Sequence, residues 1–299
     1  SKDELSTNSI IRVESARTNI RFATKKDGYK EKINAARLKG TDTKITSQYF
    51  QMEGPAWENE NVAFRNYFDE RNGMDIFGKR TKGMILDKVG IDQNYHELQD
   101  WGMDILKVGN SLGAGGVALI IGDSLHRIGP NANASFEVIQ ETTEFSAIKF
   151  KYIDWKVHGR TYNVYHTISI VPGTHYYKSS LDIEGLKGDE AFACGIVDHM
   201  PKNQSRIKNY KILSTFGKQD MLENGLGMAV ATYTKQGVSV AKSSQFKTEI
   251  DHTHLMIVVP KNAAVDFYFF TGWELSDKSF AIKEGFEEML KNEIEVFDQ

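Results

Sequence analysis

The sequence lacks several features that would assign it to a particular class of protein. Its 299 residues include one cysteine, so no disulfide can form within the chain. With five prolines and no low-complexity tract, nothing resembles a flexible linker. No apolar run approaches the ~20 residues that cross a bilayer. A net charge of −3 gives no sign of a nucleic-acid or anionic-membrane partner.

The chain start and the cysteine add little about location. Residues 1–4 are polar and show no signal peptide, so we expect a mature or trimmed end, and composition indicates no compartment. Cys194 lies in a short run of small and apolar residues, and we expect it to be buried.

Short runs of β-branched and aromatic residues, separated by turn residues, dominate the sequence and predict strands. In residues 160–170, Tyr162, Val164 and His166 alternate with more polar neighbours, as a half-buried strand requires. Short links between successive strands favour antiparallel pairing. The predicted strands are residues 10–14, 18–23, 47–52, 116–121, 135–141, 145–155, 160–171, 175–183 and 255–259.

Helix is scarce. Apolar residues at helical spacing predict a C-terminal helix over residues 280–297, with Ser276 or Ser279 as its cap. Residues 84–89 are a candidate for a second, short helix. We predict one all-β antiparallel domain over residues 1–299, a large sandwich with a C-terminal helix.

The window from residue 53 to residue 110 breaks the alternating pattern and is rich in polar and aromatic residues. If residues 64–68 form a strand, Arg65, Tyr67 and Asp69 project from one face. Arginine offers a planar fork that matches a carboxylate, and a tyrosine beside a cation can relay a proton. A purely structural Arg–Asp pair with a packed tyrosine explains the same pattern.

Further candidates in this window are a histidine and two tryptophans. His96 lies outside any apolar alternation, and histidine is the commonest general acid or base. Trp57 and Trp101 offer flat faces that stack on sugars, although such side chains also fill cores.

Other chemistries fit less well. The glycine-rich run 109–116 precedes a predicted strand instead of following one, so nucleotide binding is disfavoured. His252 and His254, with Glu249 nearby, suggest a metal site but lack a further ligand at suitable spacing. Cys194 has no evident activating partner, which argues against nucleophilic acyl transfer. We therefore expect no metal and no cofactor.

The same window contains five motifs. They are Gly54-Pro55-x-Trp57-Glu58-Asn59, Val62-Ala63-Phe64-Arg65-x-Tyr67-x-Asp69-x-Arg71-Asn72, Asp75-Ile76-Phe77-Gly78-Lys79, Tyr95-His96-x-Leu98-x-Asp100-Trp101-Gly102-Met103-Asp104 and Leu106-Lys107-Val108-Gly109-x-Ser111-Leu112-Gly113-Ala114-Gly115. With these motifs the sequence resembles a bacterial family of unknown function found among polysaccharide-degradation genes. The similarity covers most of the chain and is most specific in residues 53–116, with further likeness at residues 225–229 and 267–273.

This resemblance implies a β-supersandwich akin to galactose-mutarotase-like and hyaluronate-lyase C-terminal modules, a periplasmic location and an acidic oligosaccharide substrate. One activity proposed near this family is an oligosaccharide dehydratase acting on ulvan fragments. The expected catalytic residues are Arg65, Tyr67, Arg71, His96 and His166, and the expected substrate-binding residues are Trp57, Glu58, Trp101 and Asn110.

The implied chemistry is loss of water across C4–C5 of a terminal uronate, giving a 4,5-unsaturated uronate. Arg65 or Arg71 would neutralise the substrate carboxylate while C5 loses its proton. His96 or Tyr67 would be the base, and the other of the two, or His166, the acid. A polysaccharide lyase uses the same groups; a non-eliminative epimerase or hydrolase and a non-catalytic carbohydrate-binding module also remain open.

Overall fold

A computed structural model describes residues 4–9, 16–37, 49–92, 94–234, 237–260 and 264–297. Within these ranges the chain forms twenty β-strands and one α-helix. The strands are β1 (Glu4–Ser9), β2 (Thr18–Arg21), β3 (Glu31–Arg37), β4 (Ala56–Asn59), β5 (Ala63–Asn66), β6 (Met74–Lys79), β7 (Gly102–Asp104), β8 (Ala114–Ile121), β9 (Ser124–Arg127), β10 (Asn133–Glu141), β11 (Ser146–Val157), β12 (Arg160–Ile170), β13 (Tyr176–Glu184), β14 (Glu190–Val197), β15 (Asn203–Ile207), β16 (Tyr210–Lys218), β17 (Gly225–Tyr233), β18 (Gly237–Lys242), β19 (Thr253–Val259) and β20 (Ala264–Trp273). The helix is α1 (Lys283–Ile294).

The strands form one large sheet and two smaller sheets. The large sheet has ten strands in the order β1-β3-β10-β11-β12-β13-β20-β17-β16-β15. One five-stranded sheet has the order β18-β19-β14-β8-β9, and the other has the order β2-β4-β5-β6-β7. Paired strands run antiparallel, as in the β11–β12 and β5–β6 pairs. The predicted all-β antiparallel class is confirmed, and the single-domain organisation stays a prediction.

One apolar core joins the three sheets. It takes Val164 and Ile168 from the large sheet, Phe64 from one small sheet and Phe192 from the other. Strand β12 alternates buried and partly exposed residues along its length, as predicted, so one of its faces lies in this core. The lone Cys194 is fully buried in β14, which confirms that expectation.

Helix α1 covers the opposite face of the large sheet. Its apolar residues Phe286 and Leu290 pack with Ile212 of β16 and Phe270 of β20. The C-terminal helix is confirmed, but it is shorter than predicted and begins after Ile282, which makes no side-chain cap. The predicted caps Ser276 and Ser279 therefore do not cap α1. Residues 84–89 form no helix, and their turn places Ile85, Leu86 and Val89 in the core.

Helix packing depends on a glycine in the strand below it. A Cβ placed on Gly227 of β17 would lie 2.4 Å from Cγ of Phe286. Glycine and alanine have low strand propensity, so β17 carries little sequence signal and was not predicted. Close approach of the α1 ring explains why these small residues occupy a buried strand.

We therefore expect Gly227→Ala to lower the free energy of unfolding by about 1–3 kcal/mol, because the added methyl group overpacks the helix interface. Urea unfolding followed by circular dichroism measures the change. Gly237→Ala is the control, since the nearest heavy atom to its added Cβ is Val259 Cβ at 3.8 Å. An unchanged midpoint for Gly227→Ala would show that α1 moves away from the sheet without cost.

Two further predicted strands had other outcomes. Residues 10–14 lie outside the described part of the chain. Of residues 47–52, the described ones form no strand, and Phe50 makes only an isolated bridge with Thr24. No helix in the described ranges is long and apolar enough to span a membrane.

Candidate functional site

Polar residues gather on the outer face of the sheet that contains β5 and β6. The inner face of β5 carries Phe64, whose ring packs against Tyr177 in the core. Because neighbouring residues of a strand point to opposite faces, Arg65 faces outward. Residues 80–101, between β6 and β7, run over this outer face without forming a strand or helix in their described part. Long loops of this kind on a rigid sheet frequently carry function.

Arg65 is fully buried among three carboxylates. It lies directly opposite Asp75 in the β5–β6 pairing, and its Nη2 atom donates to Asp75 Oδ2. Nη2 also lies 3.2 Å from Asp104 Oδ2, and Nη1 lies 2.6 Å from Glu53 Oε2. One guanidinium thus faces three acidic groups inside the protein.

Because the carboxyl groups outnumber the guanidinium, the pKa values of Asp75 and Glu53 shift in opposite directions. Burial, and then the nearby charge of Asp104, raise the pKa of Asp75 to about 7. Burial by itself raises the pKa of Glu53, but the charge of Arg65 and further hydrogen bonds outweigh it, so that this pKa is below its ordinary value. Near neutral pH Asp75 is therefore close to half protonated, whereas Glu53 carries a negative charge.

Two tyrosine hydroxyls join the same network. Tyr67 Oη donates to Asp75 Oδ2 at 2.6 Å and accepts from Arg65 Nη2 at 2.9 Å. Tyr95 Oη donates to Glu53 Oε2 at 3.0 Å. Burial raises the pKa of Tyr67 well above its ordinary value and that of Tyr95 to about 12. Both hydroxyls stay protonated at neutral pH and can donate a proton but not accept one as a base.

His96 is the accessible member of the group. Its side chain is 57% exposed, and Nδ1 lies 3.4 Å from Asp104 Oδ2. The hydrogen bond to Asp104 raises the pKa of His96 above its ordinary value. The opposite ring nitrogen, Nε2, is the atom that can meet a substrate. We call the residues described so far the Arg65 cluster: Glu53, Arg65, Tyr67, Asp75, Tyr95, His96 and Asp104.

A second arginine borders the cluster. Arg71 lies with its Cζ 3.8 Å from the centre of the Tyr67 ring and pairs with Asp69. Its side chain is 24% exposed, in contrast to the buried Arg65. The neighbouring Arg127 donates to the backbone oxygen of Arg71 and, at 2.7 Å, to that of Asn110. Arg71 is thus an accessible cation on a loop that a second arginine holds in place.

The structure changes the interpretation of Arg65. Sequence reasoning named Arg65 or Arg71 for the contact with the substrate carboxylate, but the Arg65 side chain has 0% exposure and both of its Nη atoms already bind carboxylates. Its surroundings match the structural alternative, with Asp75 as the partner in place of the predicted Asp69. Strand β5 ends at Asn66, so Asp69 leaves that face and pairs with Arg71.

Other predicted residues lie elsewhere. His166 is buried in the large sheet against Phe150 and bonds Ser179 at 2.7 Å. Burial lowers the pKa of His166 to about 3, so the ring stays neutral and offers no acidic imidazolium proton. This placement contradicts its predicted role as an acid, because a strand with its inner face in the core buries every second side chain.

The predicted substrate-binding residues also divide. Trp57 is buried against Tyr177 in the core, because it shares the inner face of its sheet with Phe64. Glu58 is buried and bound to Lys79 at 2.9 Å, so it is not open to a substrate. Their predicted contacts with substrate are therefore not supported. Trp101 is half-buried beside Phe77, whose ring lies 5.1 Å from Arg65 Cζ.

Asn110 is exposed and lies beside the Arg71 loop. It bonds the backbone oxygen of Glu249, and its own carbonyl accepts from Arg127. Of the nine predicted site residues, Arg65, Tyr67, His96, Arg71 and Trp101 are the ones that come together.

Sequence reasoning gave Tyr95 and Asp104 no role in the site. Both lie inside the recognised motif, but their contacts with Arg65 cross between the 80–101 loop, β7 and β5. The motifs indicated the window that contains the Arg65 cluster, but no local pattern showed which acids would surround the arginine.

The histidines considered for a metal site do not converge. His252 Nδ1 lies 3.3 Å from Asp198 Oδ1 and is exposed, whereas His254 is buried with Nε2 3.0 Å from the backbone oxygen of Met200. Strand β19 begins at Thr253, so the two do not share a strand face. In the described ranges, no three histidine, cysteine or acidic side chains are grouped to hold a metal ion.

Three solved structures resemble this chain only weakly, in both sequence identity and TM-score. An α-mannosidase from Enterococcus faecalis is 8% identical with a TM-score of 0.41, and this chain covers 39% of it. A glycosyl hydrolase family 38 protein from Enterococcus faecalis is 7% identical with a TM-score of 0.42 and 40% coverage. A putative aldose 1-epimerase from Klebsiella pneumoniae is 8% identical with a TM-score of 0.39, with 96% of each chain covered. This chain thus spans about two fifths of the first two proteins.

Sequence comparisons are more specific about the family than about the activity. No curated protein matches the chain. A model of the domain of unknown function DUF4861 matches residues 4–299. Because that match covers nearly the whole chain, this protein belongs to the DUF4861 family.

Proposed function

We propose that this protein is a carbohydrate-active lyase that removes water across C4–C5 of a terminal uronate in an acidic oligosaccharide, such as an ulvan fragment. The observation that carries the proposal is an exposed base, His96, paired with Asp104, which Arg65 links to two tyrosine hydroxyls that stay protonated. Elimination needs this combination of a base and an acid. The sugar class comes from the family resemblance.

The reaction has three parts. His96 Nε2 takes the proton from C5, and the electrons of that C–H bond form the C4=C5 double bond. The C4–O bond breaks, and the departing hydroxyl takes a proton to leave as water. Tyr67, bordering Arg71, or Tyr95, beside His96, supplies that proton. Asp75 can return a proton to Tyr67 across their 2.6 Å hydrogen bond.

Arg71 is our candidate for the substrate carboxylate. The intermediate resembles an enediolate, so the carboxylate beside C5 gains negative charge as the proton leaves. A guanidinium that is 24% exposed can reach this group, and stacking on the Tyr67 ring fixes its plane. In this proposal the buried Arg65 does not contact the substrate and instead holds Tyr67 and the acidic groups in place.

The direct test is mass spectrometry of uronate-ended oligosaccharides incubated with the protein. Loss of one water with ultraviolet absorbance of a conjugated product supports the proposal. Chain shortening with an unsaturated end would instead make the protein a polysaccharide lyase, and addition of water would make it a hydrolase. An unchanged substrate that binds would indicate a binding module. A parallel incubation with a chelator should give the same rate, since we propose no metal.

The His96–Asp104 pair predicts a pH dependence. The base must be neutral, so kcat/KM should rise with pH through the His96 pKa, which Asp104 holds above its ordinary value. In Asp104→Asn the charge is lost while an oxygen remains to accept from Arg65. We expect the acidic limb of the kcat/KM profile to move to lower pH in this variant. A limb that stays in place or moves to higher pH would contradict the pairing.

A further inference from the structure

The hairpin of β15 and β16 is strongly basic. Residues 202–218 contain five cationic side chains and no aspartate or glutamate, in a chain whose net charge is −3. The cations are Lys202, Arg206, Lys208, Lys211 and Lys218. Charge of one sign concentrated on one hairpin raises the local concentration of anions.

Two of these cations lie side by side on the inner face of the sheet. Arg206 and Lys211 are direct partners in the β15–β16 pairing. Tyr210 and Ile212 face helix α1, so Lys211 between them points to the opposite face. Like charges directly opposite each other in a sheet are destabilising. An arrangement that carries this cost calls for a compensating negative charge.

No carboxylate of the described residues supplies that charge, because neither Arg206 nor Lys211 has an acidic partner among them. Arg206 Nε donates to the backbone oxygen of Lys208 at 2.9 Å, and Lys211 Nζ to that of Val238 at 3.5 Å. These contacts place the two cationic groups without neutralising them.

The two side chains line a cleft between sheets. Its volume is about 500 Å³, within the range of ~300–1,000 Å³ that is usual for small-molecule sites. One wall is the edge of the large sheet, and the other comes from β18 of a small sheet. The lining residues are Gln204, Ser205, Arg206, Lys211, Thr234 and Val238.

Cations on edge strands also have a simpler purpose, since they prevent edge-to-edge association. Both β15 and β18 are edge strands. Arg206 is exposed and serves that purpose as well, but edge protection does not by itself require a cleft with hydrogen-bonding groups. Here the paired cations line a cleft that also carries an amide and two hydroxyl groups, which are the hydrogen-bonding groups that suit a sugar.

We propose that this cleft binds an anionic group, a carboxylate or a sulfate, on an acidic polysaccharide, at a site separate from the Arg65 cluster. The two sites lie on different sheets, since the cluster belongs to the sheet of β2 and β4–β7. The cleft therefore holds a part of the polymer that is not reacting. This ligand class rests on the proposed function, whereas the cationic cleft does not.

Affinity electrophoresis in native gels tests the proposal with three polymers. Polygalacturonate offers carboxylates, chondroitin sulfate offers sulfates as well, and dextran is neutral. We expect the first or second to retard the protein and dextran to have no effect. Retardation by polygalacturonate would identify a carboxylate as the bound group, and retardation by chondroitin sulfate alone would identify a sulfate. If neither acidic polymer retards the protein, the proposal is wrong.

The double variant Arg206→Gln/Lys211→Gln should raise the dissociation constant at least about tenfold, because it removes two charged hydrogen-bond donors. The matched control is Lys149→Gln/Lys156→Gln, which makes the same change in net charge on β11 of the same sheet. If both double variants lose the same affinity for the polymer, net charge alone accounts for binding and the proposed site is wrong. Turnover of a short oligosaccharide should be normal in both, which separates this test from that of the proposed function.

Discussion

Replacing His96 with asparagine is expected to lower kcat/KM by about 10²–10⁴, the usual contribution of a positioned general base. The loss should appear mainly in kcat, because His96 reacts with C5 and makes no other proposed contact. The fold should be unaffected, since 57% of the side chain is exposed. Stopped assays of water loss from a uronate-ended oligosaccharide, with circular dichroism of the variant, measure both quantities.

His252 provides a matched control. It is another exposed histidine beside an aspartate, with Nδ1 3.3 Å from Asp198 Oδ1, but it lies outside the Arg65 cluster. Its φ of 45° is in the left-handed region, which asparagine tolerates. His252→Asn should therefore keep full activity. Added imidazole should restore part of the activity of His96→Asn alone. Full activity in His96→Asn would remove this residue from the mechanism.

Strands were predictable from the sequence where buried and exposed residues alternate along the chain. Strand β12 alternates strictly, so its bounds and buried face were predicted nearly residue by residue. Strand β15 was missed because it is a polar edge strand with exposed residues and therefore no alternation. Strand β17 was missed because its small residues make room for the ring of Phe286, which lies far away in the sequence on helix α1. Local patterns do not encode contacts of this kind.

The candidate site shows the same limit at the level of side chains. Convergence of Arg65 and Tyr67 followed from strand geometry, and their 2.9 Å contact agrees with it. Accessibility did not follow, because it depends on how residues 80–101 cover the sheet. That coverage buries Arg65 and leaves His96 exposed. Strand geometry and the family resemblance therefore indicated these residues, but they left open which of Arg65 and Arg71 faces the solvent.

Because Arg65 is buried, its replacement should first affect stability. Arg65→Ala leaves Glu53, Asp75 and Asp104 without the guanidinium they share. Removing one partner of a buried ion pair typically costs about 3–5 kcal/mol. We expect a loss of that size in the free energy of unfolding at pH 8, which is a large fraction of the ~5–15 kcal/mol of an ordinary protein. Arg17→Ala, which removes an exposed arginine from ion pairs with Glu60 and Glu144, should cost much less.

The loss should depend on pH with a definite sign. The pKa of Asp75 is already about 7 in the folded protein, above the ~3.9 of an unfolded chain. A carboxyl group of this kind favours the folded state at low pH, and the benefit disappears as pH rises through the folded pKa. Without Arg65 the carboxyl groups bind protons more tightly still. Urea unfolding of Arg65→Ala should therefore give a smaller loss at pH 5 than at pH 8. An equal loss at the two values would mean that packing, and not charge, accounts for the role of Arg65 in the fold.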